Sequence, residues 1–344
     1  MRLFFDTLLF FSLSLQAQLP VIRVYILAGQ SNMSGTDNPM VSQLPIGLSN
    51  SVPNVLIKVN GDVNYNWQSL RPGLGATPTN FGPELNLGHD AATYFNGDEI
   101  AIIKFSQGGT TLNEDWRPPS SGGTTGWLYN NFINDVRASL AYLDSNYTVQ
   151  LMGLCWMQGE YDALDNAKAN NYQTNLTNFI SDVRAAINAP QLPVAIGMID
   201  NSTGWTYNAA VRQAEINVSK TVNQTSIFDT HGLGTDGTHY NTEGQLELGH
   251  YFFNALTNVY VNCKTCSNTE VKLYPNPATN FFNLSYADTP TDYNYKITDM
   301  RGAEVQSGQL YVGCVIDVSL LSTGTYFVFI TNTQTTMVKK LIKL

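Results

Sequence analysis

The stretch YILAGQSNMSG, residues 25–35, begins in apolar residues and ends in small polar ones. Traced back to Val21 it becomes VIRVYILAG, a nearly continuous apolar run of the kind that forms a strand buried on both faces. Ser31 follows directly, between Gln30 and Asn32. A serine in that place is either an ordinary loop residue or a nucleophile held at the C-terminal edge of a parallel sheet. Both read the same locally, so the rest of the chain has to separate them.

Outward from that stretch, apolar runs alternate with longer amphipathic ones. NVLIKVN, EIAIIKFS, TVQLMGLCWM, LPVAIGMID and TSIFDT read as further strands. PELNLGHDAATYF, LYNNFINDVRASLAYLD, NYQTNLTNFISDVRAAINA, YNAAVRQAEINVSKTV and EGQLELGHYFFNALTNVYV read as the helices between and after them. This alternation predicts a mostly parallel sheet with helices on both faces, an α/β fold in three layers. Ligand sites in such sheets gather beyond the C-terminal strand ends. Beyond about residue 270 the pattern changes to short strand-like runs, FFNLSY, YNYKITDM, CVIDVSL, TYFVFITN and TTMVKKLIKL, without long helices. That predicts a separate small β-sandwich.

Composition narrows the function classes. The chain has 344 residues, 43% of them hydrophobic and only 13% charged, with a formal net charge of -9. A nucleic-acid backbone binder needs a basic patch, so that class is disfavoured. MRLFFDTLLFFSLSLQA has a basic start, a mostly apolar run and a small residue at Ala17, the pattern of a signal peptide over residues 1–17. No segment is long enough to predict a transmembrane span. The four cysteines are Cys155, Cys263, Cys266 and Cys314. Cys155 reads as buried, and a Cys263–Cys266 bridge is the simplest pairing, although spacing does not establish it. No metal-ligand set and no cofactor motif is evident.

Four features lie just beyond strand candidates: Ser31 in AGQSNMSG, Gly108 and Gly109 in KFSQGGT, Gln158 in CWMQGEYD, and Asp236 with His239 in GTDGTHYN. Acyl transfer needs a hydroxyl nucleophile, a base to take its proton, a group that orients the base, and donors for the oxyanion. Ser31, His239 and Asp236 match the first three roles. The Ser31 and Gly109 backbone N–H groups and the Gln158 side-chain amide match the fourth. Each also has a plainer reading, as a helix cap, a turn, a helix start or a loop pair. His231 competes with His239, whereas His89 and His250 lie in amphipathic runs. Spacing alone leaves these readings open.

With these four blocks in order, residues 21 to 260 resemble the SGNH hydrolase superfamily, in the branch holding carbohydrate and sialic-acid-specific acetylesterases. The resemblance implies a flavodoxin-like three-layer fold and a serine acyl-enzyme. It assigns Ser31 as nucleophile, Asp236 and His239 as the acid–base pair, and Ser31, Gly109 and Gln158 as oxyanion donors. It implies no cofactor and no metal. Two positions depart from the branch: Met157 stands where it often has histidine, and Tyr161 where it often has serine. The G-x-S-x-G elbow is absent, since Met33 occupies the place of its second glycine.

VKLYPNPATNFFNLSY and the terminal KKLIKL resemble the type A sorting domain of the bacterial type IX secretion system, which implies handling by that machinery and a secreted or surface location. The expected organisation is a signal peptide at 1–17, an esterase domain at 18–262, a linker at 263–270 and a sorting domain at 271–344. The expected substrate is an acetylated carbohydrate, acetylated xylan first. Alternatives are a sialate O-acetylesterase, a lipase or thioesterase of the same superfamily, or a noncatalytic carbohydrate-binding protein. Tryptophans in NWQSLRPGLG, NEDWRPPSSGG and DNSTGWTYN are candidates for stacking on a sugar.

Overall fold

A computed structural model describes residues 19–59, 67–95, 97–264, 272–274, 276–278, 281–285, 294–310, 315–331 and 336–344. The signal-peptide stretch lies outside the described residues, as do Cys266 and Cys314 and the side chain of Cys263. Cys155 is buried as a free thiol.

Strand β1 (Val21–Gly29) is the centre of a seven-stranded sheet. Its parallel neighbours are β4 (Glu99–Ser106) on one side and β5 (Thr148–Met157) on the other. Next to β4 lie β2 (Val55–Val59) and the short antiparallel β3 (Gln68–Ser69), giving the edge order β3-β2-β4. Beyond β5 come β6 (Val194–Met198) and β7 (Thr225–Asp229), both parallel. The β3 pair falls in a stretch whose sequence reads as a polar loop.

The apolar run of β1 is explained by this central place. Ile22, Val24, Tyr25, Ile26 and Leu27 are all fully buried, each worth about 1.5–3 kcal/mol relative to exposure. Helices α2 (Glu84–Tyr94) and α6 (Thr242–Lys264) pack together, and α6 covers β5, β6 and β7. The other face carries α3 (Trp127–Asp144), α4 (Asn166–Ala186) and α5 (Asn208–Thr221). There Phe132 of α3 stacks on Phe179 of α4 at 6.1 Å, and Trp156 of β5 meets Phe179 at 4.3 Å. The sheet is therefore covered by helices on both faces, as the alternation predicts.

Register matters most for the site. Gly29 of β1 is level with Ser106 of β4 and with Met157 of β5. The three segments that carry Ser31, Gly108–Gly109 and Gln158 thus leave one sheet edge side by side, at the place where the chain crosses from one half of the sheet to the other. Gly29 itself has φ +153°, and a Cβ there would stand 2.0 Å from the Met157 carbonyl oxygen. Only glycine lets the two strands approach this closely before the chain turns.

The C-terminal part has two antiparallel sheets. One has four strands in the order β11 (Glu304–Gln309), β10 (Asn294–Thr298), β13 (Gly324–Thr331) and β14 (Thr336–Lys343). The other has three, in the order β12 (Val315–Asp317), β9 (Phe281–Ser285) and β8 (Lys272–Tyr274). Tyr326, Val328 and Ile330 alternate inward along β13 and share a core with Phe282, Ile297, Ile316 and Leu341. β11 is polar and solvent-exposed along most of its length, so its sequence carries little strand signal.

Candidate active site

Ser31 opens the short helix α1 (Ser31–Ser34), one residue beyond the end of β1. It is mostly buried, at 7% exposure. Beneath α1, Lys104 of β4 donates to the Ser34 carbonyl at 3.0 Å, to the Leu74 carbonyl at 3.2 Å and to Glu84 at 2.6 Å. Both charged groups are fully buried, and burial pulls the lysine pKa down against the opposing effect of Glu84. A lysine inside the apolar run EIAIIKFS is the signal that could have found this pair.

The Gly108–Gly109 turn packs on Ser31. A Cβ on Gly108 would lie 3.4 Å from the Ser31 Cβ. Gly109 adopts φ +71°, a left-handed conformation suited to glycine. The turn is braced from below, because Thr110 Oγ1 donates to the Gln107 carbonyl at 2.7 Å and accepts from the indole of Trp116 at 3.0 Å. Trp116 is fully buried and Trp205 nearly so. Neither offers a face to a sugar, contrary to the reading of their loops. Tyr161 stands instead at this rim: it is 48% exposed, and its ring lies 3.5 Å from where a Gly109 Cβ would be.

Gln158 sits at the base of the loops. It is fully buried, and its amide nitrogen faces three acceptors, Asp162 at 2.8 Å, the Thr110 carbonyl at 3.0 Å and Gln30 Oε1 at 3.2 Å. Its two amide hydrogens are shared among these three acceptors. Gln158 ties the loop ends together from below. The Ser31 and Gly109 backbone N–H groups make no hydrogen bond within the described residues.

Asn32 joins the Ser31 turn to the His239 loop. Its amide nitrogen donates to Glu160 at 2.8 Å and to the Thr238 carbonyl at 3.1 Å, and its oxygen accepts from the Tyr240 N–H at 3.2 Å. Both residues flanking His239 are therefore held by the residue after Ser31. The sequence reading gave Asn32 no part, and the contact spans more than two hundred residues. Ser31 Oγ and the His239 ring make no direct hydrogen bond. Hydrogen bonds of this kind are often long before substrate binds and tighten in the complex.

Asp236 also departs from expectation. One of its carboxylate oxygens accepts the backbone N–H groups of Thr238 and His239, each at 2.8 Å, and the other accepts from Asn38 at 2.6 Å. The backbone N–H of His239 is the largest of several effects that hold the Asp236 pKa below the ordinary value. The carboxylate shapes the loop and makes no bond to the imidazole. The ring nitrogen Nδ1 of His239 lies 3.1 Å from Asp37 Oδ2. The competitor His231 is exposed and faces Asp200 at 3.1 Å. His250 is buried against Asp90, and burial lowers the pKa of His89.

Two buried acids underlie the loops. Burial raises Glu160 to about 7, with its Asn32 bond pulling the other way. Asp162 is raised by burial to about 6, opposed by bonds from Gln158, Leu112 and Asn113.

The carbohydrate esterase family of sialic acid-specific acetylesterases matches residues 21–258, nearly the whole of this α/β part. The chain belongs to that family. A secretion system C-terminal sorting domain matches residues 272–344, so the β-sheets at the C-terminus mark this esterase for type IX secretion to the cell surface or beyond. A probable carbohydrate esterase of Arabidopsis thaliana is 23% identical over 252 residues, which are 68% of this chain and 90% of that protein. A carbohydrate acetylesterase from Xanthomonas citri superposes with TM-score 0.56 at 16% identity, covering 92% of this chain and 80% of its own. NanS superposes with TM-score 0.55 at 15% identity, covering 71% and 98%. At these identities the structures share the fold of this esterase. Among the described residues, no helix is long and apolar enough to cross a membrane.

Proposed function

We propose that this carbohydrate esterase removes acetyl groups from sugar hydroxyls through a serine acyl-enzyme, acting on an extracellular polysaccharide such as acetylated xylan. The observation that carries the reading is the junction at Asn32. The residue after the nucleophile grips both neighbours of His239, while the Gly108–Gly109 turn lies against Ser31.

His239 Nε2 takes the Ser31 proton as Oγ attacks the acetyl carbon, and the Ser31 and Gly109 N–H groups receive the oxyanion. As the tetrahedral adduct collapses, the C–O bond to the sugar breaks and His239 returns the proton to the departing alcohol. Water then enters, gives its proton to His239, and attacks the acetyl-serine. Acetate leaves and Ser31 recovers its proton. Asp236 serves this sequence by holding the loop that carries the base.

The rim of the site favours a sugar over a long acyl chain. Tyr161 at the rim offers an exposed ring face and a hydroxyl, a common surface for a pyranose. Acetate release from acetylated xylan, an O-acetylated sialoglycan and a lipid ester is the test. Wild-type protein should act on the xylan, and Ser31→Ala should lose about a thousandfold or more in kcat while remaining folded. Activity retained in that variant would refute the acyl-enzyme. Preference for the sialoglycan or the lipid would reassign the substrate.

A further inference from the structure

We infer that Trp127 and Tyr161 are aromatic contacts for successive sugars of one glycan chain, set along the loop that leaves β4, so that this site reads a polymer. The inference rests on the acetylesterase reading above and extends it from the acetylated sugar to its neighbours.

The chain has five tryptophans, and Trp127 alone is exposed, at 54%. Trp116, Trp156 and Trp205 belong to the core, and Trp67 is half-buried and stacked on Tyr142. A single exposed ring means little by itself. What singles out Trp127 is the way it is held. Its indole N–H donates to Asp115 Oδ1 at 3.1 Å, and the other oxygen of that carboxylate accepts the Thr111 N–H at 2.8 Å. The backbone docks on the same loop: the Leu128 N–H donates to the Asp115 carbonyl and the Gly126 N–H to the Arg117 carbonyl, each at 2.9 Å. The ring is thus fixed in orientation while more than half of the residue stays open to water.

Thr111 stands two residues beyond Gly109, whose Cβ position lies 3.5 Å from the Tyr161 ring. Tyr161 is held to this loop through its neighbour. Asp162 is buried and accepts the Leu112 N–H at 2.8 Å and the Asn113 N–H at 3.0 Å. Both exposed rings therefore attach to one short stretch, residues 109–115, that starts beside Ser31. Within it Asn113 and Glu114 reach the surface, polar groups of the kind that bond sugar hydroxyls.

Pyranose rings present apolar C–H faces that pack on aromatic faces while their hydroxyls stay in water. A ring already fixed in place loses little freedom when the sugar arrives, so more of the contact appears as affinity. The sugar that carries the acetyl group lies against Tyr161, and Trp127 serves its neighbours along the chain.

The test measures acetate release from an acetylated polymer and from its acetylated monosaccharide, xylan and xylose first, using full-length wild type, Trp127→Ala, Trp127→Phe and Tyr161→Ala. We expect Trp127→Ala to raise KM on the polymer about three- to tenfold and to lower efficiency on the polymer by that factor relative to the monosaccharide. Trp127→Phe, which keeps a ring, should recover most of the loss. Tyr161→Ala should raise KM on both substrates. An equal loss on polymer and monosaccharide in Trp127→Ala would mean that the ring only supports the loop, and no loss on the polymer would remove it from the glycan path. Either result overturns the inference. Retardation of Ser31→Ala in a gel containing the polymer reads binding without chemistry, and adding Trp127→Ala should weaken it by a similar factor. Equal retardation would overturn the Trp127 contact. Activity retained in Ser31→Ala would instead overturn the acyl-enzyme and leave the binding result standing.

Discussion

The two halves of the active site are held in different ways. Ser31 and the Gly108–Gly109 turn emerge from adjacent central strands whose register is fixed by parallel pairing, and a buried lysine braces the helix that Ser31 opens. His239 sits on a loop after the edge strand β7, and side chains on other loops fix its position. A sheet can position a group by backbone pairing alone. A loop needs side chains borrowed from distant segments, so the sensitive positions of the two halves differ in kind.

If the sheet-borne half depends on the Lys104–Glu84 pair, Lys104→Met should be the most destructive change to stability. It leaves Glu84 fully buried without its cation, a loss of about 3–5 kcal/mol. Urea unfolding measures it, and a loss below about 1 kcal/mol would mean that the brace is dispensable. Asn32→Ala probes the seam between the halves. It deletes the bonds to Thr238 and Tyr240, so kcat should drop about ten- to a hundredfold with a smaller change in KM and a stability loss of about 1–3 kcal/mol. A variant with normal kcat would show that the histidine loop finds its place unaided.

A smaller effect comes from below the seam. Glu160 has an ordinary carboxylate pKa of 4.5 when unfolded and about 7 in the fold. Its contribution is fully present below pH 4.5 and is lost as pH rises through 7, because the folded protein holds a proton that the unfolded chain releases. Asp162, raised from 3.8 to about 6, acts in the same direction over a lower range. Glu160→Gln keeps an acceptor for Asn32 and removes the titration. Its unfolding free energy should therefore fall less than that of wild type between pH 5 and pH 7.5. Parallel slopes would show that the carboxylate is already ionised in the fold.

The same contrast explains what the sequence made legible. Five of the six parallel strands declare themselves as apolar runs, because a strand buried inside the sheet has little room for polar alternation, whereas the edge strand β7 alternates. The strand-end blocks follow from those runs. The polar pair Gln68–Ser69 has no such signature, and it forms β3 only because β2 offers an open edge. At the site, adjacency suggested that Asp236 serves His239, three residues away. Such closeness in sequence serves backbone capping as readily as ring orientation, and capping is what the carboxylate does. The approach of Asp37 to His239 depends on two loops docking, which no local period encodes. Gln158 looked like a donor, and its commitment to Gln30, Thr110 and Asp162 is a property of the packed interior.

The Asn32 bonds to Thr238 and Tyr240 span 206 and 208 residues. Nearly the whole α/β part must be threaded into place before these two contacts can form. Closing a loop of that length loses chain entropy before any contact compensates for it. Ser31 is thus among the first residues of this part to be made, while His239 arrives among the last. Under the proposed acyl-enzyme, partly folded chains carry an unarmed serine, and ester hydrolysis reports a finished topology.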